Sequence, residues 1–218
     1  MKNRWMKLWS LLSENRVMGE AAFERIARSY NEPHRAYHTL DHIRACLAML
    51  DDVHSEGVVN RLACEWALWL HDVVYDVHAR DSEEMSARVS SLFIENGGIS
   101  RGFEMYVNRL ILATKHTGTS PTDNDTRFVL DIDIHVLGAE TEEVYNAYDL
   151  AVRREYSWVP WEVYRVRRAE ILQGFLDREA IFLTPAFHTR GYETRARAHL
   201  LRSIECLTTK PDLLLAPA

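Results

Sequence analysis

The chain has few of the residues that mark several common protein classes. It contains three cysteines in 218 residues, Cys46, Cys64 and Cys206, without the spacing of paired cysteines. Such an odd, sparse set argues against a disulfide framework and is typical of a reducing compartment. Glycine and proline are also scarce, at nine and six residues, so turns are few. The composition therefore favours helices, which Ala, Leu, Arg and Glu form readily.

Several longer features are missing as well. The sequence has no run of about 18 apolar residues, which argues against a transmembrane helix. The segment Met1–Ser10 mixes Lys, Arg and Trp and lacks the apolar core of an export signal. The net charge is −6 with histidine neutral, so the chain as a whole does not attract nucleic acid electrostatically. We expect a cytoplasmic protein without a membrane or nucleic-acid partner.

Helical periodicity is present along most of the chain. We predict helices over about 1–13, 23–30, 39–53, 58–75, 81–94, 101–115, 127–137, 141–156, 160–178 and 192–207. The stretch Val129–Val136 alternates apolar and polar residues and could also form a strand. We predict a helix there because no other segment offers a partner strand. The predicted fold is all-α, a bundle of about eight to ten helices.

The helix predicted over 58–75 is apolar on nearly every side, which is typical of a central, buried helix. Near its C-terminal end the chain reads Leu70-His71-Asp72-Val73-Val74-Tyr75-Asp76. Adjacent imidazole and carboxylate groups suit a divalent metal such as Zn, Mn or Fe, or Mg with more carboxylate and water. A polar turn at the end of a helix is the structural alternative. A buried His-Asp pair is costly, however, unless it is paired or bound to a metal.

Two further polar patterns lie in apolar surroundings. His38 and His42 are four residues apart and share a helix face if the helix begins early enough. A zinc-protease H-E-x-x-H motif needs Glu after the first His, and Thr39 stands there, so we exclude a protease. Asp131 and Asp133 lie about 200° apart on a helix, so only one can face a given site.

A His, then a His-Asp pair, then an Asp, all on predicted helices, resemble the ligand order of the HD-domain superfamily of metal-dependent phosphohydrolases. More narrowly, the chain looks like the small stand-alone predicted metal-dependent HD phosphohydrolases, over roughly residues 5 to 205. The stretches that carry the resemblance are Arg35-Ala36-Tyr37-His38-Thr39-Leu40-Asp41-His42-Ile43, Leu70–Asp76, Asp81-Ser82-Glu83-Glu84-Met85-Ser86-Ala87, Thr114-Lys115-His116, Leu130–Gly138 and Arg153-Arg154-Glu155-Tyr156.

The resemblance implies four ligands for one divalent metal, namely His42, His71, Asp72 and Asp133. His42 is preferred to His38 because the family's first His usually opens an H-x-x-x-apolar helix. Asp133 is preferred to Asp131 because the family's last ligand tends to precede an apolar-rich turn. The metal could be Mn, Mg, Zn, Co, Ni or Fe, since a mixed nitrogen and oxygen site accepts several ions.

The implied activity is hydrolysis of a nucleotide or another small phosphate ester by a metal-activated water that attacks phosphorus. Asp76 would orient or deprotonate that water if the helix continues one turn beyond Asp72. Lys115 would stabilise charge on the phosphoryl group. Weaker candidates for substrate contacts are Arg35, His38, His116 and Arg153. His116 could instead be a helix-end cap, and Arg153 could form a surface ion pair.

The chain departs from the family pattern at two places. Ser82 stands where the family usually has Asn, so the role of that Asn in holding the loop after the H-D pair is open. Relatives that hydrolyse a nucleotide pyrophosphate bond carry an acidic pair where this chain has Tyr75-Asp76. Two other functions compete with hydrolysis. One is a metal- or nucleotide-binding HD module without turnover. The other is a di-iron HD-fold oxygenase, for which only His78 and His116 could supply the two additional histidines.

The expected domain organisation follows from the same resemblance. We expect one HD-like domain over residues 1–218, with the metal-site core at about 35–137 and C-terminal helices at 140–207 packed on it. The oligomeric state is open. The first helix carries Trp5 and Trp9, which could pack on the domain or on a second copy in a homodimer.

Overall fold

The computed structural model describes residues 1–116 and 121–209. The regular elements in these ranges are α-helices and 3₁₀-helices, without a β-strand. The α-helices are α1 (Lys2–Ser10), α2 (Arg16–Ser29), α3 (Leu40–Val53), α4 (Arg61–Leu70), α5 (Ser82–Asn96), α6 (Arg101–Ala113), α7 (Asn124–Asp133), α8 (Glu142–Glu155), α9 (Trp161–Leu176), α10 (Pro185–Thr189) and α11 (Tyr192–Thr209). Short 3₁₀-helices lie at His54–Glu56 and His135–Gly138. The all-α prediction is confirmed, and the helix absent from it is the short α10.

Backbone contacts divide the chain into two compact units, with the boundary along the chain between Asp133 and Ile134. The first unit contains α1 to α7. The second contains α8 to α11. The single domain over residues 1–218 and the packing of helices 140–207 on the metal-site core stay predictions. In the described ranges, the structure has no helix long and apolar enough to cross a membrane.

Helix α4 is the centre of the first unit, as its all-round apolar pattern predicted. Every residue from Ala63 to Leu70 is buried. Helices α1, α3, α5, α6 and α7 all pack against it. Asn60 caps the helix by accepting a hydrogen bond from the backbone N–H of Ala63 at 3.1 Å. Because neighbours surround α4, whatever follows its last residue, Leu70, starts from the middle of the core.

The indole rings of α1 and α4 form an aromatic cluster in this unit. Trp5 is fully buried, and its ring centroid lies 5.0 Å from that of Trp66 and 5.6 Å from that of Trp69. Its Nε1 donates to the carbonyl oxygen of Gly19 at 2.9 Å. At Gly19 an added Cβ would come within 2.7 Å of the Trp9 ring, so only glycine allows α1 and α2 to approach this closely. The first helix therefore packs on its own unit.

The burial of Trp5 predicts a large stability effect. We expect Trp5→Ala to lower the free energy of unfolding by about 3–5 kcal/mol, because it removes a buried indole and leaves a cavity. Chemical denaturation followed by circular dichroism measures the change. Val17→Ala, at a position on α2 that is 70% exposed, is the matched control and should change stability by less than about 0.5 kcal/mol. Equal effects of the two substitutions would contradict the packing described here.

The second unit has its own core. Helices α9 and α11 pack against each other, and Phe182, Phe187 and Tyr192 form an aromatic cluster with ring centroids 4.9–5.5 Å apart. The carboxylate of Glu193 accepts hydrogen bonds from the backbone N–H groups of Ile181 and Phe182 at 2.9 and 3.0 Å. These bonds tie the segment before α10 to the first turn of α11.

Two helix boundaries differ from prediction in a way that matters for the site. Helix α3 begins at Leu40, so His38 precedes it. Helix α4 ends at Leu70, whereas the prediction extended to residue 75. The backbone N–H of Val74 bonds to the Ser86 hydroxyl at 3.1 Å instead of a carbonyl one turn back. Contacts from another helix therefore end α4 where local apolar periodicity would have continued it.

Candidate metal centre

Four side chains with metal-ligating atoms converge in the first unit: His42, His71, Asp72 and Asp133. Their ligand atoms all lie within 4.8 Å of one another. The Nε2 atoms of His42 and His71 are 3.2 Å apart. Oδ1 of Asp133 lies 3.4 Å from Nε2 of His42 and 3.2 Å from Nε2 of His71. Oδ2 of Asp72 lies 3.1 Å from Nε2 of His71. These are the same four residues that the HD resemblance implies.

This spacing is in the range found between ligands of a metal ion. Ligands at about 2.0–2.2 Å from one ion lie roughly 3–4 Å from each other, whether the coordination is tetrahedral or octahedral. Five of the six distances between donor atoms in this group run from 3.1 to 3.8 Å. Two imidazole nitrogens and two carboxylate oxygens are a donor set that Zn, Mn, Fe, Co and Ni accept. The group could therefore hold a metal ion.

Three elements bring these side chains together. The hydroxyl of Thr39 caps α3 by accepting from the backbone N–H of Asp41, which places His42 in the first turn. His71 and Asp72 follow α4 directly, and Asp133 is the last residue of α7. Residues from three helix ends thus meet beside α4.

The ring of His71 is oriented by its second nitrogen. Nδ1 lies 3.1 Å from the carbonyl oxygen of Leu68. A carbonyl can only accept, so Nδ1 carries the hydrogen and Nε2 is left to face the other ligands. The His71 side chain is 1% exposed. This arrangement of a ligand histidine, with one nitrogen held by the backbone, is common in metal proteins.

The charges of the group partly offset one another. Burial opposes protonation of His71, but the carboxylates of Asp72 and Asp133 outweigh it and hold the pKa of His71 well above its ordinary value. Burial lowers the pKa of His42. Burial also opposes ionisation of Asp72, yet the charge of His71 keeps the pKa of that carboxyl below its usual range. The pKa of Asp133 is lowered in the same way, against burial, by His71, His116 and His42. In the metal-free protein, a proton on His71 therefore offsets carboxylate charge.

Because His71 carries a proton in the metal-free protein, we expect metal binding to depend on pH. A metal must displace the proton from His71, whose raised pKa lies above the ordinary value of about 6.5. Affinity for Mn²⁺ should therefore rise about tenfold per pH unit up to that pKa and level off above it. Calorimetric titration at neutral pH, in buffers of different ionisation enthalpy, should show about one proton released per ion. Release of no proton would contradict the assignment of the charge to His71.

In the metal-free protein, the stability of the fold also depends on the protonation of His71. Because the folded-state pKa of His71 is raised, its protonation stabilises the fold below the unfolded value, and that stabilisation is lost as the pH rises through the folded-state pKa.

Arg35 holds the turn that carries Asp72. Its side chain is 0% exposed. The guanidinium donates to the carbonyl oxygens of His38 at 3.1 Å, Asp72 at 2.7 Å and Val73 at 3.3 Å, and Nε donates to Glu32 at 2.9 Å. It lies between the rings of two tyrosines, 5.0 Å from one centroid and 5.4 Å from the other. The expected contact of Arg35 with substrate does not fit this placement, because its donors are directed to backbone carbonyls of the turn and to Glu32.

The role of Arg35 in the turn can be tested by measuring the free energy of unfolding of a variant. Arg35→Lys should lower the free energy of unfolding by about 2–4 kcal/mol, because one ammonium group cannot reach carbonyls that a planar guanidinium bonds together. Denaturant unfolding measures this. Arg44→Lys, at an exposed arginine of α3, should change stability by less than about 0.5 kcal/mol. A neutral Arg35→Lys would show that the turn is held by other contacts.

Two serines of α5 hold the chain after the H-D pair. The hydroxyl of Ser86 accepts from Val74 N at 3.1 Å and donates to Val74 O at 3.3 Å. The hydroxyl of Ser82 accepts from Asp76 N at 3.3 Å. Ser82, at the position where the HD resemblance leads us to expect Asn, thus contacts the loop itself. Ser86 was missed by sequence reasoning, although a serine beside Ala87 on the buried face of a predicted helix was a usable signal.

The two residues predicted to be catalytic are placed differently from expectation. Asp76 lies beyond the end of α4, so the helix that would have put it one turn from Asp72 is not there. Its carboxylate accepts from the backbone N–H of His78 at 2.8 Å, and its side chain is exposed. Lys115 donates to Glu84 at 2.6 Å and to the carbonyl of Arg80 at 2.8 Å. These contacts do not direct either side chain to the ligand group.

The candidates for substrate contact are distributed over both units. Arg153 belongs to the second unit, where it donates to the carbonyls of Tyr156 and Val159 and lies 4.6 Å above the Tyr164 ring. His38 lies at the site. Its ring centroid is 6.0 Å from that of His42, and its ring stacks on that of Tyr75.

Two predicted alternatives remain: whether Asp131 or Asp133 is the ligand, and what His116 contacts. Asp133 belongs to the ligand group, whereas Asp131 is fully buried elsewhere on α7, as the angle between them on a helix requires. Nε2 of His116 lies 3.0 Å from Oδ2 of Asp133. His116 thus contacts a predicted ligand.

Comparison of this chain with family models, curated proteins and solved structures found no match. The site is therefore interpreted from its own geometry and from the sequence resemblance.

Proposed function

We propose that this protein is a metal-dependent phosphohydrolase that acts on a nucleotide or another small phosphate ester, with one divalent ion per chain. The observation that supports this proposal is the convergence of two imidazoles and two carboxylates at metal-ligand spacing. His42 and His71 would hold the ion through Nε2, and Asp72 and Asp133 through one carboxylate oxygen each. The remaining positions around an ion of higher coordination number would be open to substrate and water.

The ion would supply a Lewis acid for a phosphoryl oxygen and would lower the pKa of water. The protein's own contribution begins with orientation. The carbonyl of Leu68 fixes the ring of His71, and Arg35 fixes the backbone of Asp72. Two carboxylate ligands reduce the net charge of the loaded site. The half-buried ring of His38 lies beside these ligands and is the proposed contact to a phosphoryl oxygen.

The test compares wild-type protein with Asp72→Asn. Metal content is measured after reconstitution with Mn²⁺, Mg²⁺, Co²⁺ or Zn²⁺, and the same samples are assayed on phosphomonoesters and on nucleoside mono-, di- and triphosphates. We expect about one ion per chain in the wild type, and loss of most of the metal together with hydrolysis in Asp72→Asn, because a carboxylate ligand is replaced by a weaker neutral donor.

A matched control is Asp41→Asn, which changes an exposed carboxylate of α3 next to His42 and should keep both metal and activity. Metal binding without hydrolysis of any phosphate compound would contradict the proposed activity and favour a binding module. Two irons per chain would favour the oxygenase. Absence of metal in the reconstituted wild type would contradict the site itself.

A cytoplasmic location belongs to the same proposal. It is supported by the state of the cysteines, since Cys46, Cys64 and Cys206 are all free thiols and two of them are buried. Free thiols persist in reducing compartments.

A further inference from the structure

His116 contacts the ligand group through the carboxylate of Asp133. The two oxygens of this carboxylate have different neighbours. Oδ1 lies 3.2 Å from Nε2 of His71 and 3.4 Å from Nε2 of His42. Oδ2 lies 3.0 Å from Nε2 of His116. One oxygen thus faces the ligand imidazoles, and the other faces a histidine outside the group of four.

The backbone at His116 is the second observation. His116 has a φ of 53°, and among the described residues it is the one non-glycine residue with positive φ. A side chain with a Cβ adopts this left-handed conformation at a cost in free energy. The residue lies beyond the end of α6, and its side chain is 17% exposed. Asparagine or glycine would suit this backbone better, so the imidazole has a reason to be there other than local conformation.

The contact also determines which nitrogen of the His116 ring carries a hydrogen. An ionised carboxylate only accepts hydrogen bonds, so Nε2 of His116 carries the hydrogen that it donates to Asp133. A ring nitrogen that donates a hydrogen cannot at the same time bind a metal. Through Nε2, His116 therefore acts on the ligand and not on the ion.

We infer that His116 is a positioning residue for Asp133: its hydrogen bond to Oδ2 fixes the carboxylate so that Oδ1 remains directed at the metal position. Outer hydrogen bonds of this kind orient metal ligands, and their loss typically costs 10- to 100-fold in metal affinity. The inference rests on the metal site of the proposed function, but it does not depend on hydrolysis.

The experiment measures Mn²⁺ and Zn²⁺ dissociation constants of the full-length protein and the melting temperature of each variant. His116→Ala removes the ring and keeps the φ cost, whereas His116→Gly removes both. His116→Gln offers an amide N–H that can reach Oδ2. His188→Ala, at an exposed histidine of the second unit, controls for loss of a surface histidine.

We expect His116→Ala and His116→Gly to weaken metal binding by a similar factor, about 10- to 100-fold, although the glycine variant melts at a higher temperature than the alanine variant. His116→Gln should recover much of the affinity, and His188→Ala should bind as the wild type does. Wild-type affinity in His116→Gly would overturn the inference, because it would show that only the backbone matters at this position.

Two outcomes separate this inference from the proposed function. Weakened metal binding in His116→Ala, in a protein that hydrolyses no phosphate ester, would support the inference and contradict the proposed activity. A wild-type protein that binds neither metal would overturn both.

Discussion

The first unit depends on one constraint: two buried imidazoles and two partly buried carboxylates lie in one place. Moving a charge out of water costs several kcal/mol even after the protein relaxes. The cost is offset here because opposite charges are brought within 3.1–3.2 Å, with a proton on His71 between Asp72 and Asp133. A divalent ion would replace that proton with a larger charge at the same position. The donor geometry is thus suited to a cation in either case.

The position of the group follows from where α4 ends. The helix is packed on all sides up to Leu70, and the next residues leave it in the middle of the unit. Arg35 donates hydrogen bonds to the carbonyls of Asp72 and Val73, and the Ser86 hydroxyl bonds to both the N–H and the carbonyl of Val74. Backbone groups that would otherwise be unsatisfied in a buried turn are therefore bonded, which allows the chain to stop being helical there.

The same contacts explain why some site residues were predictable and others were not. The four ligands were implied by the order of a His, a His-Asp pair and an Asp, which resembles that of HD-domain proteins. Arg35 was expected at a phosphate, since its charge is visible in the sequence and the carbonyls it bonds are not. Asp76 was placed by extending α4 on apolar periodicity, and that periodicity carries no information about the serines of α5 that end the helix.

The sequence by itself determined the helical class and the central position of α4, because these depend on local composition and on the 3.6-residue period. The four candidate ligands were implied by the resemblance to HD-domain proteins. Only the tertiary structure decided that His42 faces His71, that Asp133 and not Asp131 joins them, and that His116 contacts the far oxygen of Asp133. The physical reason is that side chains far apart in sequence meet through helix packing. A period within one helix fixes which residues share a face, but not what that face will meet.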